Sequence, residues 1–489
     1  MSQSLRGEGL LVPVVALVGS LAFASGCAAE SSGEDGSPLD TGVTSSDSTR
    51  ESAARVIPVS SIAKLQAALD AAAPGDRIEL ANGSYTLSSP IRFSRSGTAT
   101  QPITVAAQNV GGAELTGSAL FEFGTLSYVT ISGFRVTTSA PVSISSKTNH
   151  VRFSRNTVQI SGSTKNWLTV TANDTEVDHN TFQNKSTEGV FLQISGLTDD
   201  MAKGVKVHHN YFYNHTFGGT NGGESIRLGL SDRQHVSAGA TVEHNLLEKA
   251  NGDSEAISVK SSDNVVRYNT LRNSKGSIVL RHGNRNRVEG NIELGGSSGI
   301  RLYENDHVIV NNLIQGGSGQ IIVGSGELKD DTASGTEHAR VDRALIAFNT
   351  VVGSGILLDI GPGNDPYGPD DCTFANNILQ GSGSGSLVRV GKASNLHWQG
   401  NILWGGSAGG ASGYRLVNPQ LEADANGLYR LASGTGPAVG TAQGSYSQVT
   451  LDFDLQPRSG AMDVGADEFV EGGSSRRPLT TADVGPSAP

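Results

Sequence analysis

Residues 251–283 read NGDSEAISVKSSDNVVRYNTLRNSKGSIVLRHG, and this stretch decides the fold prediction. Two short runs with β-strand character, EAISVKS and GSIVLRHG, flank a third run, NVVRYNTL. Alternation of apolar and polar residues is typical of a strand with one buried face. The stretch therefore predicts three consecutive short strands.

The same pattern recurs from residue 128 to residue 404. Each unit has a short apolar/polar alternation, an asparagine and a second short strand, as in HVRFSRNTV, VKVHHNYF and HVIVNNLI. The recurring asparagines are Asn156, Asn180, Asn210, Asn245, Asn269, Asn291, Asn312, Asn349, Asn377 and Asn401. Units that follow one another directly are 21 to 24 residues apart, and the longer gaps indicate inserted loops. A period of this length indicates a solenoid.

We predict an all-β fold, a single-stranded right-handed parallel β-helix with an asparagine ladder. One rung cannot bury its apolar side alone, so rungs stack around a continuous core. Asparagine tolerates a left-handed backbone conformation, and stacked asparagines hydrogen-bond along their column. A β-propeller is the weaker alternative because these units are too short for four strands. Leucine-rich repeats are excluded because their leucine consensus is missing.

Composition limits the partners of the chain. The formal net charge is -11, which disfavours non-specific binding to nucleic acid or to an anionic membrane. A local basic cleft for an acidic substrate remains compatible with that charge. The only two cysteines, Cys27 and Cys372, exclude a disulfide framework, and we expect Cys372 to be a buried thiol.

The N-terminal 54 residues are predicted to lie outside the folded domain. Residues 1–27 have the features of a signal peptide, and Ala24-Ser25-Gly26-Cys27 resembles a bacterial lipobox. We expect export as a secreted or cell-surface lipoprotein, with membrane contact only through a lipid on Cys27. An ordinary signal peptide is the alternative. Residues 28–54 are rich in Ser, Gly, Asp and Thr and predict a flexible linker.

Residues 55–470 are predicted to form the β-helix domain. Ser60 or Ser61 can cap an amphipathic helix, IAKLQAALDAAA, that would cover the open first rung. The polar end of the chain, residues 471–489, is predicted to be disordered. The sequence predicts no oligomeric state.

Three clusters carry candidate chemistry: residues 221–227, the group Asp253, Glu255 and Lys260, and residues 281–284. Asp253 and Glu255 are two residues apart, so both face the same side of a strand. Oxygen ligands of this kind suit Ca²⁺ first and Mg²⁺ second, and a solvated acidic strand face is the alternative. By residue type alone, Lys260 and Arg281 are interpreted as surface charges.

The clusters resemble a known family. NGGESIRLG, DSEAISVKS, LRHGN and GIRLYENDH, at residues 221–229, 253–261, 280–284 and 299–307, are similar to motifs of the family-six polysaccharide lyases. That family includes alginate lyases and chondroitinase B, and the resemblance spans residues 55–470. It implies a Brønsted base at Lys260, an acid at Arg281, Ca²⁺ ligands at Asn221, Asp253, Glu255 and Glu224, and substrate contacts at Arg227, His282 and Arg301. Some relatives carry glutamate where this chain has Asp253.

The resemblance implies Ca²⁺-assisted β-elimination on an anionic, uronate-containing polysaccharide. Alginate is favoured because the first and third motifs look closer to alginate-acting members. A dermatan sulfate or chondroitin lyase is the main alternative. A β-helical glycoside hydrolase would need an acid pair, such as Asp330-Asp331 or Asp370-Asp371. A non-enzymatic surface adhesin would share the repeat but would not need the charged cluster.

Overall fold

The structure, a computed structural model, describes residues 55–330, 337–473 and 476–489. The predicted signal peptide and the predicted linker lie outside these residues. Within the described ranges, no helix has both the length and the hydropathy of a membrane span.

Three parallel sheets dominate the fold, and from strand Leu126–Ser132 to strand Val388–Val390 each turn of the chain adds one strand to each sheet. Sheet 1 has 14 strands: Val56–Val59, Arg77–Leu80, Ile103–Ala107, Leu126–Ser132, Thr148–Ser154, Glu176–Asp178, Lys206–His208, Thr241–Glu243, Val265–Arg267, Arg287–Glu289, Val308–Val310, Leu345–Ala347, Thr373–Ala375 and His397–Gln399. Sheet 2 also has 14: Gly83–Leu87, Ala113–Gly117, Arg135–Val136, Thr157–Val158, Thr181–Lys185, Tyr211–His215, Leu246–Ala250, Thr270–Ser274, Ile292–Gly296, Leu313–Gln315, Thr350–Gly353, Ile378–Gly381, Asn401–Trp404 and Tyr414–Leu416.

Sheet 3 has ten strands: Val142–Ile144, Leu168–Val170, Leu192–Ile194, Ile226–Gly229, Glu255–Lys260, Ser277–His282, Ile300–Leu302, Ile321–Val323, Leu358–Ile360 and Val388–Val390. Two small sheets pair Ile91–Phe93 with Phe121–Phe123 and Leu421–Ala423 with Tyr429–Leu431. In the part of the chain that the structure describes, the helices are Ile62–Asp70 and a short 3₁₀ segment, Ser231–Arg233. The predicted parallel β-helix is confirmed.

Aliphatic side chains fill the space enclosed by the three sheets. In sheet 3, Ile226, Ile257, Ile278, Ile300 and Ile321 align on successive rungs and are all buried. Burying each such side chain stabilises the fold by about 1.5–3 kcal/mol. Their column keeps sheet 3 rigid beneath its outer face.

The asparagine ladder is present, with one correction to its predicted backbone. Asn269 donates from Nδ2 to Asn291 Oδ1 at 3.0 Å and to the Val242 carbonyl at 2.9 Å. The left-handed residue is the one before the ladder asparagine: Tyr268 has φ 57° and His244 has φ 52°. Asparagine therefore serves this column through its hydrogen bonds, and its neighbour makes the turn.

The N-terminal helix covers the first rung as predicted. Ser61 caps it by accepting from the Lys64 amide at 3.2 Å, and Leu65 and Leu69 are buried against the first strands. This burial closes the open end of the core.

The end of the chain differs from its predicted disorder. The Gly485 amide donates to the His209 carbonyl at 2.8 Å, and Arg155 donates from Nη1 to the Pro486 carbonyl at 3.0 Å. A ring nitrogen of His179 lies 3.1 Å from the Pro489 carbonyl. Polar composition suggests disorder, but these backbone groups find partners along the edge of the rungs.

Candidate active site

The strand pair Glu255–Lys260 and Ser277–His282 carries two β-bulges. Their register places Ala256 opposite no residue of the second strand, and Arg281 opposite no residue of the first. Among the described strand pairs, this pair alone has such shifts. A bulge bends its strand and re-aims the neighbouring side chains. The two bulges therefore distinguish this part of sheet 3 from an otherwise regular solenoid.

A polar cavity of about 250 Å³ opens beside the bulges. It is lined by Thr220, Asn221, Asp253, Ser254, Glu255, Arg281, Arg301, Tyr303 and His338. Five of these lining residues are among the predicted site residues, although they come from four separate motifs. The stacking of rungs brings them together.

Glu255 lies at the centre of the charged network. Its Oε1 accepts from Arg281 Nη1 and from Arg301 Nη2, both at 2.9 Å. Its Oε2 is buried and has no hydrogen-bond partner. A buried carboxylate oxygen without a partner costs free energy, so this atom is available to a ligand.

Asp253 is fixed by backbone amides. Its Oδ2 accepts from the Gly223 amide at 2.8 Å and its Oδ1 from the Glu255 amide at 2.6 Å. Burial raises the pKa of Asp253, and the nearby charge of Glu224 raises it further. Both causes disfavour the charged form, which a bound cation would favour.

The donor set fits a hard divalent cation. Asn221, Asp253 and Glu255 line the same cavity and offer amide and carboxylate oxygens. Oxygen ligands of this kind bind Ca²⁺ or Mg²⁺. The unpartnered Glu255 Oε2 is the observation that supports this fit.

Glu224 pairs with Arg227 and does not line the cavity. It is fully buried, and both of its carboxylate oxygens accept from Arg227, at 2.8 and 2.5 Å. Burial alone would raise the pKa of Glu224, but the hydrogen bonds and charge of Arg227 outweigh burial and lower it. Glu224 is thus an ionised counterion for Arg227, and both residues lie outside the cavity lining.

Lys260 lies behind this ion pair. Its Nζ is 3.7 Å from Glu224 Oε1, and only 9% of its side chain is exposed. Burial lowers the pKa of Lys260, and the charge of Glu224 opposes that change. A lysine with a lowered pKa is more readily available as a neutral amine, the form that accepts a proton.

Comparison with known proteins agrees with this geometry. The family model described as Chondroitinase B matches residues 59–380, well over half of the chain. The chain belongs to the chondroitinase B family, polysaccharide lyase family six. Among curated proteins, no match is found.

Solved structures resemble this family member over most of its length. The alignment with the family-six alginate lyase AlyGC has 25% identity and a TM-score of 0.68, and covers 78% of this chain. It spans only 56% of AlyGC. A family-six alginate lyase in complex with a trisaccharide gives 20% identity, a TM-score of 0.65 and coverage of 86% and 97% of the two chains. A family-six polysaccharide lyase from Pseudopedobacter saltans has 20% identity and a TM-score of 0.62, and the alignment covers 88% of this chain and 99% of that one. The last two show the shared fold.

His282 is less accessible than its predicted role suggests. It was predicted to contact substrate, but its ring is fully buried, and burial lowers its pKa to about 3. In the strand register His282 is the partner of Lys260, and it is not among the residues that line the cavity. His282 therefore supports the wall behind the cavity of this chondroitinase B family member.

Four lining residues were not predicted from the sequence: Thr220, Ser254, Tyr303 and His338. Tyr303 lies inside the quoted motif GIRLYENDH but was assigned no role. His338 lies in the long gap between Asn312 and Asn349, which indicates an inserted loop without revealing where the loop folds. Only the fold places it beside Arg281.

Proposed function

We propose that this family member is a polysaccharide lyase that cleaves alginate by β-elimination. The observation that carries the proposal is the convergence of Arg281, Arg301 and the oxygen ligands on one polar cavity. The buried Lys260 lies on the same strand as Glu255, one of those ligands. The charged groups are those that uronate chemistry requires: a proton acceptor, cations for a carboxylate and a donor for the leaving oxygen.

Binding would use the arginines of the cavity. Arg281 and Arg301 both donate to Glu255 Oε1, so their guanidinium groups already converge on one anionic position. A uronate carboxylate entering the cavity would find the same donors. A Ca²⁺ ion held by Asn221, Asp253 and Glu255 would, when bound, supply positive charge that makes the C5 proton more acidic.

The elimination moves one proton and one electron pair. Lys260 Nζ takes the C5 proton, and the C5–H electrons form the C4–C5 double bond. The C4–O4 bond breaks, and its electrons leave with the glycosidic oxygen. Arg281 donates a hydrogen bond to that oxygen, which takes its proton from Arg281 or through water. The product carries an unsaturated sugar at its new non-reducing end.

The buried position of Lys260 supports its role as the base. An exposed lysine would be protonated at neutral pH, whereas burial lowers the pKa of Lys260. Glu224 holds Arg227 through both of its oxygens and lies farther from the Lys260 amine. The amine therefore has a longer ion pair with Glu224, at 3.7 Å, than Arg227 has.

Two observations favour alginate over a sulfated polymer. Arg340 donates to Asp370 at 2.7 Å, and Arg389 pairs with Asp359, so acidic partners neutralise these basic groups. Sulfate groups would need additional unpaired cations along the cleft. The AlyGC structure is also that of an alginate lyase. A dermatan sulfate lyase is the second candidate, because the matching family is the one described as Chondroitinase B.

The test is a substrate panel. Alginate, dermatan sulfate and pectate are each incubated with the protein, with and without a chelator, and the ultraviolet absorbance of the unsaturated product is followed. The proposal expects absorbance to rise on alginate and the chelator to abolish the rise. A rise on dermatan sulfate alone would favour the second candidate. No rise on any of the three polymers would remove the lyase proposal.

A further inference from the structure

The Arg281 bulge changes the surroundings of the Arg281 backbone. The pairing register passes from Val259–Leu280 directly to Lys260–His282, which leaves Arg281 out of the ladder. A buried carbonyl needs a hydrogen-bond donor, and the regular ladder does not supply one at a bulge. A ring nitrogen of His338, Nδ1, lies 3.0 Å from the Arg281 carbonyl. Since a carbonyl only accepts, Nδ1 carries the proton in this bond.

His338 is also held by two aromatic neighbours. Its ring lies 4.6 Å from the ring of His282 and 4.2 Å from the ring of Tyr303, with interplanar angles of 28° and 15°. Stacked rings at these distances stabilise each other beyond the area that they bury. The stack fixes the ring plane of His338 and so directs its Nδ1–H at the Arg281 carbonyl.

From these contacts we infer that His338 is a positioning residue for Arg281, acting through the Arg281 carbonyl. The inference rests on the proposed function, in which Arg281 assists departure of the glycosidic oxygen. The His338 ring thereby locks the bulge that aims the guanidinium into the cavity. Without the hydrogen bond, the backbone at Arg281 can relax toward a regular strand and turn the side chain.

The charges around His338 agree with this role. Burial lowers the pKa of His338, and the charge of Arg281 lowers it further. A neutral ring with its proton on Nδ1 donates to the carbonyl without adding a second positive charge beside the guanidinium. The Arg281 side chain is then free to pair with Glu255 or with substrate.

Three variants of His338 separate the hydrogen bond from the packing. In His338→Asn the side-chain amide nitrogen can occupy the place of Nδ1, so the donor is kept while the ring stack is lost. In His338→Leu both the donor and the stack are lost. His338→Phe keeps the stack and removes the donor. His397→Leu is the control, because His397 is an exposed histidine on strand His397–Gln399 of sheet 1.

We expect kcat on the active polymer to depend on whether the side chain at position 338 can donate a hydrogen bond to the Arg281 carbonyl. We expect His338→Asn to keep most of the wild-type kcat, and His338→Leu and His338→Phe to lose roughly ten- to a hundredfold, the effect of one buried hydrogen bond. KM should change less than kcat, because Arg301 remains in place as a second donor to the substrate carboxylate. Equal kcat for His338→Asn and His338→Leu would overturn the inference.

A substrate-free measurement separates this inference from the proposed function. Hydrogen exchange of a peptide covering strand Ser277–His282 should be faster in His338→Leu than in wild type and near wild type in His338→Asn. If wild-type protein cleaves none of the polymers, the proposed function fails, whereas the exchange result still decides whether His338 holds the bulge. Equal exchange in the two variants would contradict the positioning role.

Discussion

Lys260 keeps only 9% of its side chain exposed, and its Nζ lies 3.7 Å from Glu224. From residue type alone it was interpreted as a surface charge, because sequence spacing does not reveal burial. The family motif assigned it a role, and the structure supplies the physical reason, a lowered pKa caused by burial. Sequence spacing also does not reveal the partners of Glu224, whose two carboxylate oxygens both accept hydrogen bonds from Arg227.

We predict that Lys260→Met abolishes turnover and leaves the fold intact. Removal of a positioned general base typically costs 10²–10⁴-fold in rate, whereas a methionine stem of similar length fills the buried site. Rates are measured on the active polymer, and thermal unfolding monitors the fold. Lys275→Met, an exposed lysine in a nearby turn, is the control. An active Lys260→Met enzyme would exclude this residue as the base.

Glu255→Gln tests the cation site independently of catalysis. The amide removes one negative charge, and one of its two terminal atoms becomes a donor. We expect Ca²⁺ affinity, measured by titration calorimetry without substrate, to fall at least about tenfold, or by about 1.4 kcal/mol. Glu122→Gln is the control, since Glu122 is exposed and pairs with Arg92. Unchanged Ca²⁺ binding in Glu255→Gln would place the ion elsewhere.

The asparagine ladder connects successive turns of the β-helix. Its spacing was readable from the sequence because every rung repeats it, and this repeat predicted the β-helix. The two bulges were not readable, since each inserts one residue into one strand without changing the composition. The backbone of the turn was assigned to the wrong residue, because the residue before each ladder asparagine varies between His244, Tyr268 and Gly290, among others.

Asn269→Ala should destabilise the fold by about 2–4 kcal/mol, because several buried groups lose partners at once. The carbonyls of Val242 and Arg267 lose a donor, and the Asn245 amide loses its acceptor. Chemical denaturation measures the free energy of unfolding. Asn426→Ala, in an exposed turn, should stay within about 0.5 kcal/mol of wild type. Equal stability of the two variants would show that the ladder contributes nothing.

Glu293 interrupts an apolar column of sheet 2. It aligns with Leu271 and Ile314 on the adjacent rungs, and all three side chains are buried. Burial raises the pKa of Glu293 from 4.5 to about 8. The folded protein therefore holds this proton more tightly than the unfolded chain. The resulting stabilisation is fully present below about pH 4.5 and is lost as pH rises to about 8.

Glu293→Leu should remove that pH dependence. We expect the variant to be more stable than wild type at pH 8 by a few kcal/mol, and the difference to shrink toward pH 4. The free energy of unfolding is measured at several pH values, with Glu122→Gln as an exposed control. Parallel pH profiles for wild type and Glu293→Leu would show that Glu293 stays charged or hydrated in the folded state.

At the scale of the whole molecule, the parallel β-helix and the family followed from the sequence. Four separated motifs marked the site, and rung stacking explains why residues as distant as Asn221 and Arg301 line one cavity. His338 could not be predicted, because a long inserted loop gives no register from which to place it. The position of the end of the chain could not be predicted either, because its contacts are made with the edges of rungs that lie much earlier in the sequence.

Mass spectrometry of an alginate digest tests the central claim most directly. Elimination gives oligosaccharides that are lighter by one water than the products of hydrolysis, because no water is added across the broken bond. We predict that wild-type protein releases these lighter, unsaturated products and that Lys260→Met releases none. Saturated products of hydrolytic mass, or unsaturated products formed equally by Lys260→Met, would contradict the account.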